Sequence, residues 1–318
     1  MGLDLINAVP PRSVLYVPAS NFAAIAKTRT LSCDAVIFDL EDSVAPGSKS
    51  AAREHVVLEL NTRLELRKAR SREHERGPRA GSSAPPTLIV RVNGVDTDWG
   101  AADVQALATA WPDALLFPKV DDEEDIRRCD SLLASAPART RLWTMIETTR
   151  SVFRLEAMAA QSRTTRLSAF VIGTNDLCVE MRASIDVRRE PLHAILSLAV
   201  VAARAHGLTI IDGVFNHIDD DEGFEEQCRQ GAALGFDGKT LIHPRQIESC
   251  HRIFTPSDTA LASARAIVAA FNQPENRGAG VLKVDGRMVE RLHLDQALAL
   301  ISLRKSIDRE STPQQTHR

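Results

Sequence analysis

Eight short apolar runs alternate with helix-like stretches along most of this 318-residue chain. The runs are almost continuously apolar, which is typical of parallel strands buried on both faces. Eight strand–helix units in succession predict an α/β fold, a closed (β/α)₈ TIM barrel. A doubly wound open sheet is the alternative, although no G-x-G-x-x-G follows the first run. The predicted strands are Ser13–Pro18, Ala35–Leu40, Leu88–Asn93, Ala114–Lys119, Leu142–Glu147, Ala169–Gly173, Thr209–Phe215 and Thr240–His243.

The remaining stretches suggest how the chain is divided. Residues 1–250 are predicted to form the barrel, with an insert at 66–86 rich in Arg, Glu, Gly, Ser and Pro that we expect to be a disordered loop. Residues 251–305 are predicted to form a C-terminal helical lid segment, in which a short strand within Asn276–Asp285 lies between two helices. Residues 306–318 are expected to be a flexible tail.

Composition narrows the classes of partner and compartment. A net charge of −3 predicts no nucleic-acid partner. The longest uncharged apolar run, Ala194–Ala203, is too short to span a bilayer, so no membrane partner is expected. Five scattered cysteines form no C-x-x-C pair, which favours reduced thiols and a cytoplasmic location.

Polar side chains end nearly every predicted strand. In a β/α barrel the C-terminal ends of the strands meet at one mouth, where the chemistry takes place. We therefore expect a shared site at this mouth. The polar residues that the predicted strands carry, end in or run into are Asp39, Glu41, Asp42, Arg91, Asn93, Lys119, Glu147, Asp176, Asp212 and His243.

Glu147 and Asp176 are the pair that points to a metal. They follow neighbouring predicted strands, so their carboxylates should lie close together and repel unless a cation or proton separates them. Mg²⁺, with Mn²⁺ as a possible substitute, suits two carboxylates. The alternative is that each carboxylate caps a helix or pairs with a basic residue. A salt link in place of the ion would count against the metal.

Basic side chains offer a second function. Arg91 should face the barrel interior if its neighbours Val90 and Val92 face the helices, and it can then grip a carboxylate or stabilise an enolate. The alternative is a structural ion pair with Asp39 or Glu41. The DLED run, Asp39 to Asp42, could supply a general acid or base, for which Asp42 is the candidate, or else form a network that orients Arg91 and Lys119. Lys27 and Lys49 are candidate phosphate contacts, or solvated lysines.

A family resemblance rests on nine strings in order: RSVLYVPASN, DLEDSVAPGSK, RVN, PKV, MIETT, GTNDL, DGVFNHIDDDEGF, GFDGKTLIHPRQI and VDGRMVE. Together they resemble the citrate lyase β-subunit-like and malyl-CoA lyase family of the HpcH/HpaI aldolase/citrate lyase superfamily. The resemblance implies Mg²⁺ on Glu147 and Asp176, with Arg91 on the substrate. It places Tyr16 and Lys27 at the CoA thioester. It also implies a homotrimer or homohexamer in which Asp285, on the lid, reaches a neighbouring subunit's site.

The predicted activity is a Mg²⁺-dependent carbon–carbon lyase acting on a β-hydroxyacyl-CoA such as malyl-CoA or citramalyl-CoA. Its products would be acetyl- or propionyl-CoA and a 2-oxo acid, with CoA as part of the substrate. The expected catalytic residues are Arg91, Glu147, Asp176, Asp285 and Asp42. The expected substrate and CoA contacts are Tyr16, Lys27, Lys49, Arg91, Glu147 and His243. The alternatives are a citrate lyase β-subunit, a malyl-CoA thioesterase, a pyruvate aldolase without CoA and a non-catalytic acyl-CoA-binding barrel.

Overall fold

Eight parallel strands close into a barrel in the computed structural model, which describes residues 9–74 and 85–311. β1 pairs with β8 as well as with β2, so the sheet has no free edge, and the predicted TIM barrel is confirmed. The strands are β1 Ser13–Pro18, β2 Ala35–Asp39, β3 Thr87–Arg91, β4 Ala114–Phe117, β5 Arg141–Ile146, β6 Leu167–Ile172, β7 Thr209–Asp212 and β8 Gly238–Leu241.

Helices cover the outside of the barrel. Several begin at a side-chain cap of the kind that satisfies the first free amides of a helix. Asp122 accepts hydrogen bonds from the amides of Glu124 and Asp125, for example. The helices are α1 Phe22–Lys27, α2 Lys49–His74, α3 Gly100–Leu107, α4 Glu123–Leu132, α5 Thr149–Val152, α6 Leu155–Ala160, α7 Thr174–Met181, α8 His193–Ala205, α9 Asp221–Leu234 and α10 Gln246–Phe254.

Two apolar clusters show which way each strand residue faces. The larger cluster lies between strands and helices and includes Val90 and Val92, whereas Ile89 belongs to the cluster that fills the barrel. Side chains alternate along a strand, so Arg91 points into the barrel, as predicted. By the same alternation, the interior face of each strand continues to its C-terminal end at the mouth. The residues of the interior cluster are Val14, Ala35, Ile37, Ile89, Ala114, Leu116, Trp143, Met145, Ala169, Val171 and Ile211.

The C-terminal residues form a second compact unit, which begins at Thr255, four residues beyond the predicted boundary. It contains helix α11 (Asp258–Phe271), strands β9 (Val281–Val284) and β10 (Arg287–Glu290), and helix α12 (Arg291–Ser311). The two strands pair antiparallel, so the single short strand predicted here is one arm of a hairpin.

Two segments predicted to be irregular are partly helical. Residues 66–74, in the predicted disordered insert, continue α2. Their Arg, Leu, Glu and Lys side chains favour helix, and Arg67 forms a double hydrogen bond to Asp113. Residues 306–311, in the predicted tail, continue α12, where Ile307 is buried. The rest of both segments, residues 75–84 and 312–318, lies outside the described residues.

The structure shows the environment of the cysteines and the length and polarity of the described helices. All five cysteines are buried and unpaired. Burial raises the pKa of Cys33 to about 11 and that of Cys129 to about 12, so both thiols stay protonated at neutral pH. Among the described residues, no helix is both long and apolar enough to cross a bilayer.

Candidate active site

Glu147 follows the last residue of β5 and is completely buried. Its Oε1 accepts a hydrogen bond from the backbone amide of Lys119 at 2.7 Å. Its Oε2 is buried without a hydrogen-bond partner among the described residues. Burial raises the pKa of Glu147, and the charge of Lys119 opposes this shift only in part. A buried carboxylate oxygen with no donor is a position that a cation can fill.

Lys119 lies between the two predicted metal ligands. Its ammonium is 3.5 Å from Glu147 Oε1 and donates a hydrogen bond to Asp176 Oδ1, in the first turn of α7. The structure therefore brings the two carboxylates together around a positive charge. The link runs through Lys119, which the sequence placed at the mouth but not between these two carboxylates.

The residues fit a divalent cation. The salt link that the sequence analysis set against the metal is therefore present, with the ammonium of Lys119 between the two carboxylates. An ammonium and a metal ion satisfy the same negative charge, and the buried Oε2 of Glu147 still lacks a partner among the described residues. Among the described residues there is no group of three or more His, Cys, Asp or Glu side chains with metal-ligand geometry. Two carboxylates suit Mg²⁺ nonetheless, because it commonly keeps several waters or substrate oxygens in its shell.

Arg91 is held rigidly beside this pair. Its Nε and Nη2 donate to the two oxygens of Asp39 at 2.6 and 2.7 Å, so the ion pair considered as the alternative is present. Burial alone would raise the pKa of Asp39, but the two hydrogen bonds and the charge of Arg91 outweigh burial and lower that pKa. The third nitrogen, Nη1, remains for other groups: it is 2.8 Å from Glu41 Oε2 and 3.3 Å from Asp42 Oδ2. The face of Tyr16 lies 5.2 Å from the guanidinium carbon.

Within the DLED run, Glu41 is the buried carboxyl group and Asp42 the exposed one. Burial raises the pKa of Glu41 to about 8, against the opposing charge of Arg91. Its Oε2 is close enough to Arg91 for an ion pair but has no well-aligned hydrogen bond. The side chain of Asp42 is 62% exposed. Glu41 is thus the carboxyl poised to exchange a proton near neutral pH, where the sequence pointed to Asp42.

Lys49 has a structural role, which corrects its predicted phosphate contact. It is buried, and its ammonium donates to the carbonyls of Leu40 and Glu41 at 2.9 Å and to Asn93 Oδ1 at 2.6 Å. An ammonium has three donors, so none remains for a phosphate. Lys49 was expected to be either a phosphate contact or a solvated helix lysine, but it is buried, and its ammonium is satisfied by these three acceptors instead of by water.

The other predicted contacts are dispersed. The hydroxyl of Tyr16 faces Met145 Sδ at 3.8 Å inside the barrel, and burial raises its pKa. Lys27 is exposed at the end of α1. His243, just beyond β8, accepts a hydrogen bond at Nδ1 from the amide of Arg245 at 3.2 Å. Asp285 is exposed in the β9–β10 turn of the second unit, with a left-handed φ of 49°.

Asp212 does not point into the mouth, contrary to the expectation from its place on the seventh predicted strand. Ile211 faces the interior, so Asp212 faces the helices, where it pairs with Arg189 at 2.6 Å and Lys239 at 3.0 Å. All three side chains are fully buried. The sequence patterns did not single out Arg189 and Lys239. The lysine in GKTLI, directly before the predicted strand that begins at Thr240, was the available signal.

Comparison with known proteins identifies the family. The family model described as HpcH/HpaI aldolase/citrate lyase matches residues 12–244. The chain belongs to this family. The predicted relationship is therefore confirmed, and the members named below are enzymes.

Relatives within the family carry different activities in their names. A (3S)-malyl-CoA thioesterase of Cereibacter sphaeroides (strain KD131 / KCTC 12085) is 42% identical over 301 residues, covering 95% of this chain and 97% of that protein. An L-malyl-CoA/beta-methylmalyl-CoA lyase of C. sphaeroides (strain ATCC 17025 / ATH 2.4.3) is 33% identical, covering 92% and 94%. Protein CitE of Mycobacterium tuberculosis, solved with magnesium, acetoacetate and coenzyme A, superposes with a TM-score of 0.72 at 26% identity, covering 94% of this chain and all of that one.

Proposed function

We propose that this protein acts on the thioester of a malyl-CoA-type β-hydroxyacyl-CoA, with a divalent cation held by Glu147 and Asp176. The observation that carries the proposal is the convergence of these two carboxylates on one positive charge, beside the ion pair of Arg91 and Asp39. The chemistry that Mg²⁺, or Mn²⁺ in its place, supplies at such a site is polarisation of substrate oxygens.

The side chains of the mouth supply the remaining chemistry. Arg91 keeps a fixed orientation because Asp39 binds two of its nitrogens, and Nη1, which contacts Glu41 and Asp42, would stabilise a thioester oxyanion or an enolate. Glu41 can take the proton of a water molecule that attacks the thioester carbon. In that reaction a C–O bond forms, the C–S bond breaks and the CoA sulfur leaves, to be protonated from solvent. Asp42 and Asp285 remain predicted alternatives for the proton transfer.

Hydrolysis is the outcome favoured by the relatives of higher identity. The proteins named (3S)-malyl-CoA thioesterase are 40–42% identical to this chain, whereas the malyl-CoA lyases are 32–33% identical. The predicted carbon–carbon lyase is the second candidate, because the same arginine and carboxylates can stabilise an enolate and release a 2-oxo acid.

One assay separates the candidates. Purified protein and Mg²⁺ are incubated with malyl-, methylmalyl-, citramalyl- and citryl-CoA, and free thiol, malate and 2-oxo acid are measured. Hydrolysis of malyl-CoA gives thiol and malate, whereas lyase action gives glyoxylate and acetyl-CoA without free thiol. Glu147→Gln and EDTA treatment should each abolish turnover. Turnover that survives both would refute the metal-dependent mechanism. No turnover of any thioester would favour a pyruvate aldolase without CoA, if CoA esters also fail to bind, or a non-catalytic barrel.

The wider predictions belong to the same proposal. Tyr16, Lys27 and His243 are proposed contacts of the CoA thioester, and Asp285 is proposed to complete the site of a neighbouring copy in a homotrimer or homohexamer. A cytoplasmic location suits five reduced thiols.

A further inference from the structure

We propose that Lys119 is the resident counter-ion of the Glu147–Asp176 pair and that a divalent cation binds only by displacing it. Lys119 would therefore set the affinity of the site for metal. This inference rests on the proposed metal role of the two carboxylates, and it assigns to this lysine a function that the proposed reaction leaves open.

The geometry places the ammonium where a metal would bind. It hydrogen-bonds to Asp176 and lies 3.5 Å from Oε1 of Glu147. Glu147 is fully buried, so water cannot solvate its negative charge when no other cation is present. Without the ammonium, two carboxylates would face each other with no positive charge between them.

The side chain of Lys119 can move away while its backbone amide stays hydrogen-bonded to Glu147. Its backbone amide, in a left-handed conformation with a φ of 52°, donates to Glu147 Oε1 independently of the side chain. The side chain itself is 42% exposed, so the ammonium has a path to solvent. The backbone bond would thus hold Glu147 in place in both states.

Charge makes the two cations mutually exclusive. Two carboxylates and one ammonium sum to −1, whereas two carboxylates and one divalent ion sum to zero. An ammonium retained beside the metal would be a third positive charge against the same oxygens, and the two cations would repel at close range. Because metal binding must first break the lysine contacts, its apparent affinity is reduced by the fraction of molecules in the lysine-bound state.

Removal of the ammonium tests the competition. Lys119→Met and Lys119→Gln are compared with Lys119→Arg, which keeps the charge, and with Lys68→Met, which breaks the exposed Lys68–Glu65 pair on α2. Mn²⁺ affinity of the full chain is measured by titration calorimetry and by the EPR signal of free Mn²⁺. We expect Lys119→Met and Lys119→Gln to bind Mn²⁺ at least about fivefold more tightly. Lys119→Arg and Lys68→Met should stay within about twofold of wild type.

Thermal unfolding supplies a second readout. Without metal, Lys119→Met should have a lower Tm than wild type, because it leaves a buried carboxylate without its counter-ion. With saturating Mn²⁺ the difference should disappear. A Tm deficit that persists at saturating Mn²⁺ would show an ordinary structural role and overturn the inference.

Failure of this inference differs from failure of the proposed function. If Glu147→Gln abolishes Mn²⁺ binding while both neutral Lys119 variants bind Mn²⁺ no more tightly than wild type, the competition is wrong and the metal site stands. If Glu147→Gln and Asp176→Asn bind Mn²⁺ like wild type, the metal site itself is wrong. If the competition is observed but no thioester turns over, only the proposed substrate is wrong.

Discussion

At the scale of single residues, the position of Glu147 depends on the absence of a side chain at Gly173. A Cβ at Gly173 would lie 2.4 Å from the Cβ of Glu147 and 2.8 Å from its Oε2, closer than real Cβ atoms approach. Glu147 must therefore move if residue 173 gains a side chain. Because it is fully buried behind β5, it has no empty space to enter.

We expect Gly173→Ala to weaken Mn²⁺ binding at least about tenfold, because a small displacement spoils the geometry of a hard-cation site. Gly47→Ala is the matched control, since a Cβ there meets no atom within 4 Å. Calorimetric Mn²⁺ titrations of both variants provide the measurement. An unchanged affinity in Gly173→Ala would mean that Glu147 does not bind the metal in this position.

The sequence could predict the site residues better than their partners. The place of Glu147 at a strand end and the inward direction of Arg91 could be predicted, because strand ends and the alternation of side chains can be read from the order of residues. The position of Lys119 between two carboxylates could not, because it depends on rotamers and on contacts across three strands. For the same reason the sequence did not show that Glu41 is buried and its neighbour Asp42 exposed.

At the scale of secondary-structure elements, a buried charge cluster ties the last two strands to the helical layer. Asp212 on β7 binds Lys239 on β8, and it also binds Arg189, which lies before α8 and contacts Gln230 of α9. Burial disfavours the charged form of Asp212, but Lys239 and Arg189 outweigh it and lower its pKa. The anion therefore holds two buried cations together.

Asp212→Asn should destabilise the fold by about 3–5 kcal/mol, the range observed when one partner of a buried ion pair is removed. The physical reason is that Lys239 and Arg189 would then face each other without an anion. Asp219→Asn, whose side chain is 95% exposed and pairs with Arg245, should change stability by less than about 1 kcal/mol. Urea denaturation of both variants at pH 7 gives the comparison, and equal stabilities would contradict the cluster's structural role.

The cluster was not predicted because the sequence did not show which face of its strand Asp212 occupies, nor that the eighth strand includes Lys239. The interior and exterior faces of a strand differ by a single position, so Asp212 was assigned to the mouth although Ile211 is the inward residue. The predicted eighth strand began at Thr240, one residue after Lys239. Strand existence followed from apolar runs, whereas strand faces and ends needed the three-dimensional register.

At the scale of the whole molecule, the closed barrel was predictable because eight buried parallel strands have few other solutions. The function of the C-terminal unit, in contrast, could not be predicted from strand and helix patterns. The sequence identifies Asp285 only through a family resemblance, and the structure places it in an exposed turn whose chemistry depends on what it meets in an assembly. Its role is therefore best tested with mixed oligomers.

If Asp285 completes a neighbouring subunit's site, two inactive variants should restore one another. Glu147→Gln and Asp285→Asn, each inactive alone, should regain about a quarter of wild-type thioester turnover when co-expressed in equal amounts, because random assembly gives that fraction of intact sites. Wild type co-expressed with the double variant is the matched control. It should retain about a quarter of the activity if sites are shared between subunits and about a half if each site lies within one chain. Half activity in the control, with no recovery in the mixture, would confine Asp285 to its own subunit.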